Sequence, residues 1–466
     1  MKNRIWWILL VAFLIRLLLP LLAFIHTQNY RGFYEGDSLS YIEPARQLIA
    51  YGRFANNSGN PELLRTPGYP LLLIPGMVLG NMELVTIALQ IFLSCLTVYF
   101  VYRIGLIVFR KSKVAASCAA FLYALEPLSI VYTSKILSET LFVSIFTCFL
   151  YYFLNYLESR SLRHLMISSI TLGVSVYIRP VSLYLPFLLT VFIFIWVVKN
   201  KHHYNKTLMI HTCLFFAVSM GLIGCWQIRN MVVANYPEFS STLPHNTYFN
   251  KAAYVLGQEK GIPYVKMQEQ MGFFGNKENY FKNHPEQRTW TDSERYQFMG
   301  KEGRKILAKH PLVYSISHIK GMLMVLFGPC AKDYVNLFID PASYSKIGSG
   351  ISITDNLLGT VKILFQNYPM LLGIYLILGI ISSIYLLLAL IALTLKKNIL
   401  KEEQLMIFLS LCIYFVVVSG GPEGAGRYRH PIMPIICILA GYTLSMILNR
   451  LSSTRRQEEA MSIKNS

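Results

Sequence analysis

Ten stretches of this chain are apolar for close to the length a helix needs to cross a bilayer. They lie at 5–25, 83–109, 114–134, 137–157, 163–178, 182–198, 207–226, 369–395, 404–419 and 431–449. A crossing takes roughly 20 residues, so those at 163–178 and 404–419 must borrow from their flanks. Inside lipid every backbone polar group has to be satisfied within the protein. The pattern therefore predicts an all-α integral membrane protein. An eleventh run, "HPLVYSISHIKGMLMVLFGP" at 310–329, carries His318 and Lys320. Either it lies in the interface or a second weak span in 330–367 accompanies it, giving ten or twelve crossings.

Composition agrees: 54% of the residues are hydrophobic and only 14% charged, the balance of a multi-span protein. The formal net charge of +19 does not point to nucleic acid, because the basic residues gather in short loops between apolar runs. These are Arg110, Lys111 and Lys113; Arg160 and Arg163; Lys199, Lys201 and Lys206; Lys396, Lys397 and Lys401; and Arg450, Arg455 and Arg456. By the positive-inside rule those loops are cytoplasmic, which puts both termini inside a cell (inner) membrane. The first run follows Lys2 and Arg4, but it is too long for a signal peptide and ends "FIHTQNY" without a small-residue cleavage site, so it reads as a retained span. Eight scattered cysteines, without Cys-x-x-Cys, read as packing residues. No Walker A or glycine-rich nucleotide fingerprint occurs, so an activated substrate must bring its own energy. Two long segments face outside on this reading, the first loop at 27–82 and a polar stretch at 227–310 whose length and aromatic content suggest a folded element. The expected division is an N-terminal transmembrane module 1–230, an external region 231–310, a C-terminal transmembrane region 311–450 and a tail 451–466.

The first loop contains "YEGDSLSYIEPARQLIAYGRF" at 34–54. Ser40 and Glu43 fit a capping box, which predicts an interfacial helix starting near Tyr41, with Ile42, Ala45, Leu48 and Ile49 on its apolar face. Asp37 just before it has two readings, a helix cap or a general base beside a membrane-embedded substrate. In "RTPGYPLLLIPG" Arg65 is either a snorkelling anchor or a phosphate clamp fixed by the Pro67-Gly68-Tyr69-Pro70 turn. In "TSKILSETLF" Lys135 and Glu139 are either an i,i+4 ion pair at a helix start or a functional pair at membrane depth. Arg179 in "IRP", Arg229 and Asn230 in "CWQIRN", and Arg427, Arg429 and His430 in "GGPEGAGRYRHPIMP" add external cations. The last three oppose both the positive-inside preference and the helix dipole, and an anionic ligand would explain them.

These residues resemble the GT-C glycosyltransferases that use polyprenyl-phosphate sugars, among them lipid A aminoarabinose transferases, protein O-mannosyltransferases and bacterial family 39 proteins. The resemblance rests on Asp37-x-x-x-Tyr41-x-Glu43-x-Ala45-Arg46 followed by "LLRTPGYPL", and on "W-x-x-R-N" at 226–230 and "R-Y-R-x-P" at 427–431. It implies a GT-C bundle of 10–12 spans with an active site facing outside. It also implies Asp37 as catalytic base and Glu139 as second acid. Arg65 stands where the aminoarabinose transferases have a lysine-proline motif, and Ser40 where they have an arginine. The implied reaction is inverting transfer of a sugar from a polyprenyl phosphate to a lipid, glycan or protein acceptor. Arg65, Arg229, Arg427 and Arg429 would neutralise the departing phosphate; Tyr41, Glu43, Tyr69, Lys135, Arg179, Asn230, Tyr428 and His430 would complete the substrate site. No cofactor is fixed by the resemblance, and a divalent metal, if used, would fall to Asp37 and Glu139. A polyprenyl-lipid flippase or exporter and a surface-polysaccharide polymerase or ligase are the competing classes. A transporter would be expected to show broken helices or internal repeats, and the sequence displays neither.

Overall fold

The computed structural model describes residues 4–199, 206–273, 277–339, 362, 365–366, 368–395 and 401–464. Most of the proposed weak span in 330–367, and Lys201, Lys396 and Lys397, lie outside these. The described residues are helical apart from turns and one isolated β-bridge. In chain order the helices are α1 (Arg4–Thr27), α2 (Ser38–Tyr51), α3 (Gly68–Val78), α4 (Met82–Val108), α5 (Lys113–Ala124), α6 (Pro127–Val131), α7 (Glu139–Ser159), α8 (Leu162–Ile178), α9 (Leu185–Lys199) and α10 (Lys206–Ala234). Then come α11 (Thr242–Asn246), α12 (Ala253–Lys260), α13 (Tyr264–Gln270), α14 (Lys277–Asn283) and α15 (Asp292–Lys309). The chain ends with α16 (Pro311–Phe327), α17 (Ala331–Phe338), α18 (Pro369–Leu395), α19 (Glu402–Val418) and α20 (Met433–Lys464). The bundle packs α7 on α4 and α8, α10 on α8, and α20 on α5 and α18. All eight cysteines are free.

Among the described residues, seven helices are long and apolar enough to cross a membrane, or eight if the α16–α17 pair, bent by 63°, counts as one span. The chain is a multi-pass membrane protein, but three of the expected crossings fall short. Leu162–Ile178 and Glu402–Val418 reach only 17 residues each. The run at 114–134 breaks after α5, and the break has a local cause. Pro127 biases its predecessor away from helix, and Glu126 is extended at φ −68, ψ 121. Its carboxylate then accepts from the Leu128 and Ser129 N–H groups, at 3.0 and 2.6 Å, and starts α6 afresh.

The α16–α17 break repeats this grammar at Gly328-Pro329. Each break leaves helix-end carbonyls without partners in their own helix, and a buried arginine from a distant part of the chain meets each set. Arg16 of α1 donates to Ala124 and Tyr123 carbonyls and to Ser94 and Ser129 hydroxyls. Arg429 donates to the carbonyls of Val325, Leu326 and Gly328 and to Ser382 Oγ. Broken helices, absent from the sequence reading, are thus present, and their ends are satisfied internally.

Residues 242–309 carry their own small core of Tyr248, Phe249, Met267, Met271, Tyr280 and Met299. This region straps down the first loop. Ser241 N–H donates to Leu63 O at 2.8 Å, and the Ser240 and Thr242 hydroxyls donate to Leu64 O. Asp292 accepts from the Asn56 and Asn60 side chains. Against α16 a close approach demands glycine: a Cβ on Gly321 would lie 2.0 Å from Gly421 O, which seats the 420–426 loop on that helix.

Candidate active site

Asp37 sits at the N-terminus of α2, and the helix starts three residues earlier than the capping box predicts. That box does not form: Glu43 instead accepts from Arg46 at 2.7 Å and Gln47 at 3.0 Å on the outer face of the helix. Nor does the Asp37 carboxylate cap the helix. Its Oδ1 accepts from Arg65 Nη2 at 2.7 Å and its Oδ2 from Arg427 Nη2 at 3.1 Å. Burial alone would raise the Asp37 carboxyl, but the two guanidinium charges and their hydrogen bonds outweigh it and hold it well below the usual carboxylate range.

Arg65 is held from several sides and is no snorkelling anchor. Its Nε donates to Ser40 Oγ at 2.8 Å and its guanidinium lies 4.5 Å over the Tyr41 ring. Tyr41 is fixed in turn by Ser138, and edge-on by Tyr69, whose hydroxyl donates to Gln90. Under Arg65 the buried Glu62 carboxylate accepts from the backbone N–H groups of Leu64 and Arg65, at 2.6 and 2.9 Å. Sequence reasoning missed Glu62, although an acid three residues before an arginine in a Pro-rich turn was a usable signal. It also missed His245 of α11, which lies in electrostatic range of Arg65 and Asp37. Burial pulls His245 down to about 4, so it is neutral near pH 7. No sequence signal marks it.

Glu139 opens α7 and pairs with Arg179 Nη1 at 2.6 Å, not with Lys135. Arg427, which also bonds the Tyr428 hydroxyl, bridges from Asp37 toward this pair, and Arg179 lies 5.9 Å over the Tyr428 ring. Glu139, Arg179, Arg427, Tyr428 and His430 together wall one side of a cavity of about 20 Å³, the room of about one water molecule. Phe142, Val143, Val181, Phe415 and Pro431 line the apolar side.

Four of the expected cations and amides are spent elsewhere. The fully buried Lys135 donates to Gly32 O and to Glu35. Arg229 donates to the Phe54 and Glu62 carbonyls and stacks on Trp226, and Asn230 donates to the Glu238 and Phe239 carbonyls. Arg429 caps the end of α16, as described above. These contacts brace the loops around the site. The two candidate acids also do not fit a divalent ion: both Asp37 oxygens and one Glu139 oxygen face guanidinium groups, and no three His, Cys, Asp or Glu side chains gather among the described residues.

Residues 65–223 match the family described as dolichyl-phosphate-mannose-protein mannosyltransferase. The apo oligosaccharyltransferase of Archaeoglobus fulgidus has the same fold, with a TM-score of 0.53 at 16% identity over 99% of this chain and 52% of its own. The archaeal oligosaccharyltransferase AglB from that organism, in complex with an inhibitory peptide and a dolichol-phosphate, also gives 0.53, at 15% identity over 98% and 52%. This chain thus spans about half the length of those proteins. ArnT from Cupriavidus metallidurans, bound to undecaprenyl phosphate, gives 0.41 at 14% identity over 93% and 77%. No curated protein matches the chain by sequence. The chain is thus a multi-pass membrane protein with the fold of the Archaeoglobus fulgidus oligosaccharyltransferase, similar over residues 65–223 to the family described as dolichyl-phosphate-mannose-protein mannosyltransferase.

Proposed function

We propose that this protein is a membrane glycosyltransferase that moves a sugar from a polyprenyl-phosphate donor to an acceptor hydroxyl on the outer face of the membrane. The observation that carries the reading is Asp37 held between Arg65 and Arg427 at a side-chain exposure of 35%, the more open of the two candidate acids, since Glu139 is at 5%. The archaeal protein of the same fold was solved with a dolichol-phosphate. In the resting site the carboxylate is a weak base, because two cations neutralise it. A lipid phosphate competes for those same guanidinium groups. As they turn to it, Asp37 loses counter-charge and gains basicity. It then takes the proton of the acceptor hydroxyl as that oxygen attacks the anomeric carbon in line, with inversion, and the phosphate leaves into the field of Arg65 and Arg427.

The outward orientation is supported by α4. It starts beside the site, where Glu83 accepts from the Tyr34 hydroxyl at 2.5 Å, and its 27 residues deliver Arg110 and Lys111 to the far end of the bundle. A second reading, lipid flipping, draws on the two broken helices. Their free ends are already met by Arg16 and Arg429 rather than open to a cargo, which favours the transferase. The deciding experiment supplies radiolabelled undecaprenyl phosphate mannose, together with hydroxyl-bearing lipid, glycan and peptide acceptors, to the purified protein in proteoliposomes. Release of undecaprenyl phosphate and labelled product, lost in Asp37→Asn, is expected. Movement of intact donor between leaflets without cleavage would overturn the reading.

A further inference from the structure

Two side chains on the wall of the small cavity are chemically incomplete. Glu139 is 4% exposed; its Oε1 takes Arg179, while Oε2 has no partner among the described residues. His430 is 1% exposed, is stacked on Tyr132 at 5.6 Å between ring centroids, and has no hydrogen-bond partner on either ring nitrogen among the described residues. Buried polar atoms left in this state are costly and uncommon. Both residues face the same space of about 20 Å³.

The chemistry of the orphaned atoms selects what fits there. The carboxylate oxygen only accepts. A neutral imidazole offers one donor and one acceptor, whichever tautomer it adopts. A phosphate oxygen only accepts, so it would meet Glu139 with repulsion. An ammonium only donates, and it would share the wall with Arg179 and Arg427. A hydroxyl donates to Glu139 and accepts from His430, as a water molecule would in the resting site, and one oxygen is about what the volume admits. From this we infer that the cavity reads a single sugar hydroxyl, with Glu139 and His430 as specificity-determining residues. This rests on the proposed transfer reaction and divides its site in two. The phosphate belongs to the Arg65–Asp37–Arg427 side, and the sugar reaches the Glu139–His430 side. The hydroxyl belongs to the donor sugar or to a sugar acceptor.

The test measures affinity by thermal shift on the full chain in detergent. Wild type, His430→Phe, which keeps the stacking on Tyr132, and His430→Gln, which restores a donor and an acceptor, are compared. The probes are undecaprenyl phosphate alone, the same lipid carrying mannose, glucose, galactose or arabinose, the monodeoxy derivatives of the best of these, and the free methyl glycosides. For the wild type, removing one particular hydroxyl should weaken binding roughly ten- to a hundredfold. In His430→Phe the ratio between parent and that deoxy compound should fall to about one, and His430→Gln should recover part of it. Dependence seen with lipid-linked sugars assigns the hydroxyl to the donor, and dependence seen with methyl glycosides assigns it to the acceptor. If undecaprenyl phosphate stabilises the protein but no deoxy position matters, or the ratio survives in His430→Phe, the inference is overturned and the transfer reading stands. If undecaprenyl phosphate gives no shift, the transfer reading fails, and the methyl glycosides alone decide the inference.

Discussion

Arg427 Nη2 lies 3.1 Å from Asp37 Oδ2, closing a gap of 390 positions in sequence. The segment before the last helix is thereby tied to the first loop, and each charge offsets the other. Arg65 completes the arrangement from the opposite side of the carboxylate.

Asp37→Asn should reduce transfer by roughly 10²–10⁴, the usual range for losing a general base. The helix it precedes should persist, since the carboxylate makes no cap. Circular dichroism should show unchanged helicity beside the lost turnover; near-normal turnover would put the base elsewhere, with His245 the next candidate.

Arg427 and Arg429 are separated by one residue and should behave differently. Arg427→Ala removes a guanidinium that faces Asp37 and the cavity, so it should weaken undecaprenyl phosphate binding by roughly ten- to a hundredfold. Arg429→Ala strips the carbonyls at the end of α16 of a buried donor set, so it should lower the melting temperature first. The check is a thermal melt of each variant with and without the lipid. Equal lipid-induced shifts in wild type and Arg427→Ala would move the phosphate site to Arg65 and Arg179.

Asp37 and Glu62 should impose opposite pH slopes on the stability of the apo protein. Asp37 is depressed below its ordinary 3.8, so its ion pairs contribute fully above that value and are lost as pH falls through the lowered one. Burial raises Glu62 above its ordinary 4.5, so its contribution is complete below 4.5 and is lost as pH rises through the raised value. Melting curves of wild type, Asp37→Asn and Glu62→Gln across the acid range should separate the two. Glu62→Gln keeps an acceptor for the turn and should flatten its limb; Glu62→Ala should cost about 1–3 kcal/mol by orphaning the Leu64 and Arg65 N–H groups.

Orientation is checked by labelling single cysteines on a cysteine-free background. A cysteine at exposed Asn57, on the strapped first loop, should react with an impermeant maleimide added from outside. One at exposed Arg110 should react only after the membrane is opened. The reverse pattern would turn the site toward the cytoplasm and remove the basis for a flipped donor.

Hydropathy made the helical membrane fold legible, and charge in the wrong place marked Asp37, Arg65, Glu139, Arg179 and Arg427. What the sequence could not reveal is which partner each charge takes. Arg229, Arg429 and Lys135 look like ligand-binding cations because they are basic and near a span, yet their donors serve backbone carbonyls and Glu35 brought close only by tertiary packing. The expected crossing at 114–134 splits where Glu126-Pro127 interrupts the apolar run, and the run at 310–329 bends after Gly328-Pro329, a local signal that average hydropathy conceals. A lone arginine inside the first run, Arg16, was equally visible and would have announced a buried polar network.

That arginine also constrains how the chain enters the membrane. Its donors are taken up by Ser94, Tyr123, Ala124 and Ser129, with Ala12 of its own helix. None of the distant four has been synthesised when α1 leaves the ribosome. An arginine at the centre of an inserting helix costs about 2.5–3.5 kcal/mol. Until translation has reached Ser94, Arg16 therefore has only Ala12 of its own helix among these partners, and the apolar residues around it in α1 must offset its cost.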